Sequence, residues 1–172
     1  MKNFLLALAM VVSLTSVSQA ALLFEPMINV NMAGEIDGGD DLKAGTFGMG
    51  ARLGYQMMGL QLGVDYQQNA LTTDASPEVD GDSTEIAAFI GYDFPVLLRV
   101  FAGYAVGGKL ATDGSADFEG ISGMKFGIGL KLFPLISINL EQKNYNYDEQ
   151  GGSAIDQDIS MTTLSISLPL TF

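Results

Sequence analysis

The sequence predicts an all-β fold, an eight-stranded antiparallel up-and-down transmembrane β-barrel. Three observations carry that prediction. Apolar and polar residues alternate with a period of two from Ala21 onward, the connections alternate between short apolar and long acidic, and glycine is abundant at 21 of 172 residues. A period of two marks a strand with two unlike faces, whereas glycine weakens a helix by roughly 1 kcal/mol per site relative to alanine.

The first twenty residues stand apart. Lys2 gives a positive start, Phe4 to Val12 is an unbroken apolar run, and Ser18-Gln19-Ala20 places small residues at a cleavage site. This is the pattern of a signal peptide over residues 1–20. The apolar run is about half of the roughly 20 residues that a spanning helix needs. With no cysteine in the chain, neither lipid attachment to a cysteine nor a disulfide is available. Residues 21–172 then suit a single domain. Removing Lys2 takes the net charge from −12 to −13, a balance that excludes nucleic acid and anionic head groups as partners held by simple attraction.

Each strand is read from its apolar face. The first carries Phe24, Ile28, Val30 and Met32; the second Phe47, Met49, Ala51, Leu53, Tyr55 and Met57; the third Leu60, Leu62, Val64 and Tyr66. Ile86, Ala88, Ile90, Tyr92 and Phe94 mark the fourth, Val100, Ala102, Tyr104 and Val106 the fifth, and Phe126, Ile128, Leu130 and Leu132 the sixth. The seventh shows only Ile138 and Leu140, and the eighth Leu164, Ile166, Leu168, Leu170 and Phe172. Met58-Gly59, Phe94 to Leu97 and Phe133 to Ile136 are short apolar turns; Gly34 to Ala44, Gln68 to Ser83, Gly108 to Gly120 and Asp148 to Asp158 are longer and acidic. A repeat of one hairpin plus one loop fits a meander better than a solenoid or propeller. Short turns on one side and long loops on the other is the layout of barrels in the bacterial outer membrane.

With the last segment ending on Phe172, the sequence resembles the OmpA/OmpX-like family of small outer-membrane β-barrels over residues 21–172. The resemblance implies a Gram-negative cell envelope protein, exported across the inner membrane to the outer membrane. It also implies that Leu164, Ile166, Leu168, Leu170 and Phe172 form the signal read by the barrel-assembly machinery, and that outer-membrane lipids and lipopolysaccharide surround a monomer. Pro169 departs from that signal and must fall where no ladder donor is needed. The structural alternative is a soluble lipocalin-like barrel with the apolar stripe inside. Four features favour the membrane barrel: apolar turns, the terminal Phe172, aromatics near the turn end (Tyr92, Phe94, Phe133, Phe172), and glycines on the polar face at Gly50, Gly54, Gly63, Gly91, Gly103, Gly127 and Gly129. A narrow lumen needs small residues to make room for long polar ones.

On the polar stripe five acids, Glu25, Asp65, Glu85, Asp93 and Glu141, balance five bases, Arg52, Arg99, Lys125, Lys131 and Lys143. Charges in a narrow lumen lose water and need opposite partners. The Met58-Gly59 turn sets Arg52 opposite Asp65, and the second turn sets Asp93 near Arg99. The other fifteen acids lie in the long connections with only Lys43 and Lys109, so the net charge belongs to one rim. Asp37, Asp40 and Asp41, and Asp80 with Asp82, are candidate ligands for loose divalent cation binding; neither group has EF-hand spacing, and a solvated acidic rim is the plainer reading.

No cofactor is expected. The barrel enzymes of this membrane rely on a catalytic histidine, and the chain has none, so no catalytic residue is assigned. Gly127-Ile128-Gly129 sits within a strand and is no phosphate loop. The expected role is structural or surface-interacting through the acidic loops. The alternative is a narrow porin-like channel for ions or small solutes, which an eight-stranded lumen filled by its own side chains disfavours. Anchoring to peptidoglycan by a further domain is not expected.

Overall fold

The computed structural model describes residues 20–39, 41–74, 78–112, 116–133 and 135–172. The signal peptide expected over residues 1–20 lies, apart from Ala20, outside the described residues. Eight long strands run Ala21–Ile36 (β1), Phe47–Met57 (β2), Leu60–Thr72 (β3), Asp80–Asp93 (β4), Leu98–Thr112 (β5), Phe118–Phe133 (β6), Ile136–Gln150 (β7) and Ser153–Ser167 (β8). Each pairs antiparallel with its neighbour in sequence, and β1 pairs with β8 to close the barrel.

Closure comes with a strong stagger. Following paired residues round the wall from Leu22 leads through Tyr55, Leu62, Ile90, Ala102, Phe126, Gln142 and Thr162 back to Ala33 on β1. The return is eleven residues along, 33 less 22, with one bulge of β1 between Asn31 and Ala33 included. Such stagger tilts the strands, typically by 35–45°, and leaves a lumen that side chains fill.

At Met58-Gly59, φ is 53° and 85°, the two left-handed positions of a two-residue hairpin. The turn fixes the register that pairs Arg52 with Asp65 and Gly54 with Gly63. Pro169 is buried at a break between Ser167 and Leu170, and the backbone bond from Leu168 N to Pro26 O lies beside it. Leu170–Thr171 then resumes pairing with β1, and Phe172 exchanges backbone hydrogen bonds with Leu22. Of the expected assembly signal, Leu164, Ile166 and Leu168 point outward, Leu170 is half-buried and Phe172 is exposed.

The orientation of the stripes excludes the lipocalin alternative. Leu53, Leu62, Ile90, Phe126 and Ile128 are about half exposed on the outer wall, whereas Arg52 and Arg99 are 1% and 0% exposed in the lumen. An apolar wall of this extent is a lipid-facing surface. Tyr92 and Phe94 meet edge to face at 4.9 Å near the turn end, where an interfacial girdle belongs.

Two expectations need correction. The connections read as long loops are mostly strand: β7 and β8 run to Gln150 and from Ser153, so the connection read over Asp148 to Asp158 turns at Gly151-Gly152, with φ of 58° and 82°. The lumen is also not polar throughout. Its loop end holds a buried apolar cluster of Leu42, Leu71, Ala105, Leu110, Ile121, Tyr145, Tyr147, Ile159 and Met161. Several acidic residues that suggested loops, Glu35, Asp82, Asp156 and Asp158, face outward on strands that rise above the lipid, where water satisfies them.

Candidate functional site

All ten charged residues expected in the lumen point into it, and they form two clusters. At the turn end, Arg99 Nε donates to Asp93 Oδ1 at 2.7 Å, Arg99 Nη1 donates to Glu25 Oε1, and Lys131 donates to the other Asp93 oxygen at 2.5 Å. Two acids meet two bases. Nearer the loops, Arg52 bridges Asp65 at 2.9 Å and Glu141 at 2.8 Å, while Lys125 reaches Asp65 and Glu85 at 2.8 Å each. Lys143 joins Glu85 at 3.0 Å and Glu141 at 3.6 Å. Three acids meet three bases, so each cluster is neutral by itself. Gln67 ties in from β3, donating to Glu141 at 3.1 Å and accepting from Lys143 at 2.8 Å.

Apolar side chains are interleaved with the clusters, which adjoin where Glu25 of the first faces Arg52 of the second across β1 and β2. Along β1 the inward series is Glu25, Met27, Asn29; along β4 it is Glu85, Ala87, Phe89, Gly91, Asp93; along β5 it is Arg99, Phe101, Gly103. On β4, Ala87, Phe89 and Gly91 separate Glu85 of one cluster from Asp93 of the other, and Met27, Phe89 and Phe101 are each 5% exposed within the lumen. The Arg52 guanidinium carbon sits 4.0 Å from the Phe101 ring centroid, a cation–π contact. The ring lies across Gly127, where an added Cβ would come within 2.1 Å of the Phe101 Cζ. That close approach explains a glycine at this point of β6 and lets an aromatic ring cross the lumen.

The rim is acidic. Lys43 bridges Glu78 at 2.5 Å and Lys109 bridges Asp117 at 3.2 Å; the hydrogen bond that Lys43 donates to Glu78 raises Lys43 above the usual lysine range. Asp37 and Asp41 flank the tip of the first loop, and Asp80 and Asp82 lie outward on β4. Asp80 Oδ1 accepts from Thr72 at 2.8 Å. Asp40 lies outside the described residues, and among the described residues no group of three or more potential ligands is placed to hold a metal. What sequence reasoning missed is the apolar end of the lumen. Its signal is an inversion of phase: Tyr145 and Tyr147 alternate with Asn144 and Asn146 on the stripe that carries Glu141 and Lys143 lower down.

Eight closed strands, a lipid-facing wall and paired charges within are the features that comparison with known proteins bears on. The sequence matches the family model for the outer membrane protein beta-barrel domain over residues 4–172. The chain belongs to that outer-membrane β-barrel family. Bacterial outer membrane is thus where this barrel resides. The crystal structure of Neisserial surface protein A is similar, with a TM-score of 0.62 at 12% identity, over 87% of this chain and 98% of that one. The outer membrane enzyme PagL matches at a TM-score of 0.50 and 14% identity, over 85% of this chain and 99% of that one. Ail of Yersinia pestis matches at 0.46 and 10%, over 90% and 100%. At these identities the likeness is one of fold alone. A search of curated proteins finds no match.

Proposed function

We propose that the protein is a non-enzymatic outer-membrane barrel that works through its acidic loops, with a lumen closed to ion flow. The observation that carries this reading is a lumen filled by two neutral clusters of buried charges, with Met27, Phe89 and Phe101 buried among them. A path for ions would have to displace these buried side chains and break buried pairs, several kcal/mol in all. The chain's net charge is then left at the rim, where it acts on whatever approaches the cell surface. The lack of histidine supports a role without acid–base chemistry. In this reading residues 1–20 are removed after export, the barrel is a monomer in phospholipid and lipopolysaccharide, and the barrel-assembly machinery inserts it.

A rim of this sign favours a basic partner surface, held by an attraction that salt screens over about 10 Å at 0.1 M. The test has two arms. In planar bilayers the purified barrel should show no conductance steps; discrete steps would establish the channel alternative instead. Proteoliposomes displaying the loops should adsorb to a polylysine surface at low salt, and changing Asp80, Asp82, Asp156 and Asp158 to Asn should weaken that adsorption. Equal adsorption by the variant would remove the rim charge from the account.

A further inference from the structure

Above the six-residue charge cluster the lumen turns apolar and opens toward the loops. There it holds a cavity of ≈ 240 Å³ lined by Ile36, Leu42, Leu71, Leu110, Phe118 and Ile159, with Thr112 and Gln157 among its polar groups and Asp80 at its exposed mouth. We propose that this cavity binds a small amphiphile, an aromatic or short alkyl body carrying a neutral or cationic polar end. The proposal goes beyond the surface role and rests on the loop end being the working end of the protein.

Size and lining set the body of the ligand. A water molecule's share of liquid volume is about 30 Å³, so the cavity holds roughly eight to ten non-hydrogen atoms. Its lining is side chains from β1, β3, β5, β6 and β8 and Leu42 of the first loop, which covers Gly34. Leu42, Leu71 and Leu110 are 5–7% exposed, so the pocket is formed by side chains already held in the apolar cluster. Preformed apolar pockets with a few polar groups are the usual form of a small-molecule site.

The polar groups set the head. Thr112 Oγ1 is buried with no hydrogen-bond partner among the described residues, whereas its polar neighbours are engaged. Asp80 accepts from Thr72 at 2.8 Å, and Gln157 donates to Asp37 O at 2.9 Å. The Thr112 hydroxyl is left to bond a ligand's hydroxyl or amine. Charge selects further. Asp80 stands at the exposed mouth of the cavity, and the two rim lysines, Lys43 and Lys109, are taken by Glu78 and Asp117. A carboxylate head would have to pass that acidic mouth with neither rim lysine free to receive it, while an ammonium or hydroxyl head would be accepted.

The test is methyl NMR on the barrel in lipid nanodiscs, titrated at pH 7.5 with octylamine, 1-octanol and octanoate. The methyls of Ile36, Leu71 and Leu110 should shift saturably with octylamine and octanol, and octanoate should bind at least tenfold more weakly. The lipid-facing methyls of Leu62 and Ile128 report simple partitioning into the bilayer and should not saturate. Val79→Trp, at the cavity's edge, should abolish the saturable shifts, and Thr112→Val should weaken octanol binding severalfold. If the Val79 variant fails to fold, Leu71→Phe serves the same purpose. Mouth methyls that follow the lipid-facing ones without saturation would overturn the site, and octanoate binding as tightly as octylamine would overturn its charge selection. Neither result depends on the conductance or adsorption measurements, so failure here and failure of the surface role are told apart.

Discussion

Within β7, Ser137, Asn139, Glu141 and Lys143 turn inward while Ile138 and Leu140 face out; a few residues on, Tyr145 and Tyr147 turn inward while Asn144 and Asn146 face out. The backbone does not change face, but the chemistry does. In the lower region lipid covers the wall, so the wall must be apolar, and the residues left for the lumen are polar and must satisfy one another. In the upper region water covers the wall, so Asn146 can bond Asp156 and Asp158 on the outer surface at 2.6 and 3.0 Å while the lumen takes the ordinary apolar core. One barrel is thus an inside-out protein below and a conventional one above. Charge pairing holds the first region, and apolar burial holds the second.

The sharpest way to break that comparison is to unbalance the lower region. Arg52→Ala leaves Asp65 and Glu141 short of a cation in a cluster that was neutral, and the loss should be about 3–5 kcal/mol in urea unfolding from detergent micelles. Arg52→Ala with Asp65→Ala together restores neutrality, so the double variant should be more stable than the sum of the single losses predicts. Strict additivity would mean that the two charges do not act as a pair.

The upper region should respond to lost volume instead. Ile121 is 3% exposed within the apolar cluster, and Ile121→Ala should destabilise by about 2–4 kcal/mol through lost burial and the cavity left behind. Leu62 is half exposed on the lipid-facing wall; there Leu62→Ala trades one apolar contact for lipid and should lose less. Equal losses in the same unfolding assay would erase the distinction between the two regions.

How much of this was legible in the sequence follows the same division. The lower region has long alternation and a two-residue turn, so Arg52 opposite Asp65, and the full set of ten lumen charges, could be read from position alone. Which charges meet across the lumen could not. Lys125 on β6 reaches Asp65 on β3 because of the barrel's stagger, a property of closure and not of neighbouring strands. The upper region hid behind its own surface. Asp156 and Asp158 look like loop residues, yet they are the wet face of a strand whose dry face is Ile155, Ile159 and Met161. Bulges compounded this, because the extra residues at Met32 of β1 and at Val106 of β5, opposite Ile86 and Ala87, move the inward phase of those strands by one residue.

The smallest effect belongs to the rim, outside both regions, and it tests whether charge pairing there resembles pairing in the lumen. Glu78 raises Lys43 above its usual range, so the bridge favours the folded state below the unfolded lysine's pKa, and this support is lost as pH rises through the folded value. The residue is open to solvent, so the contribution is small and screened by salt. Comparing Lys43→Met with the parent protein by unfolding midpoint should give a slight difference at pH 8 that shrinks in molar salt and again above about pH 11. The deficit of Arg52→Ala should persist under both changes, because its guanidinium stays charged and its partners are shielded from ions. A Lys43 deficit as large and as salt-resistant as that of Arg52 would show that the rim is as dry as the lumen, and the division between the two regions would then have to be drawn elsewhere.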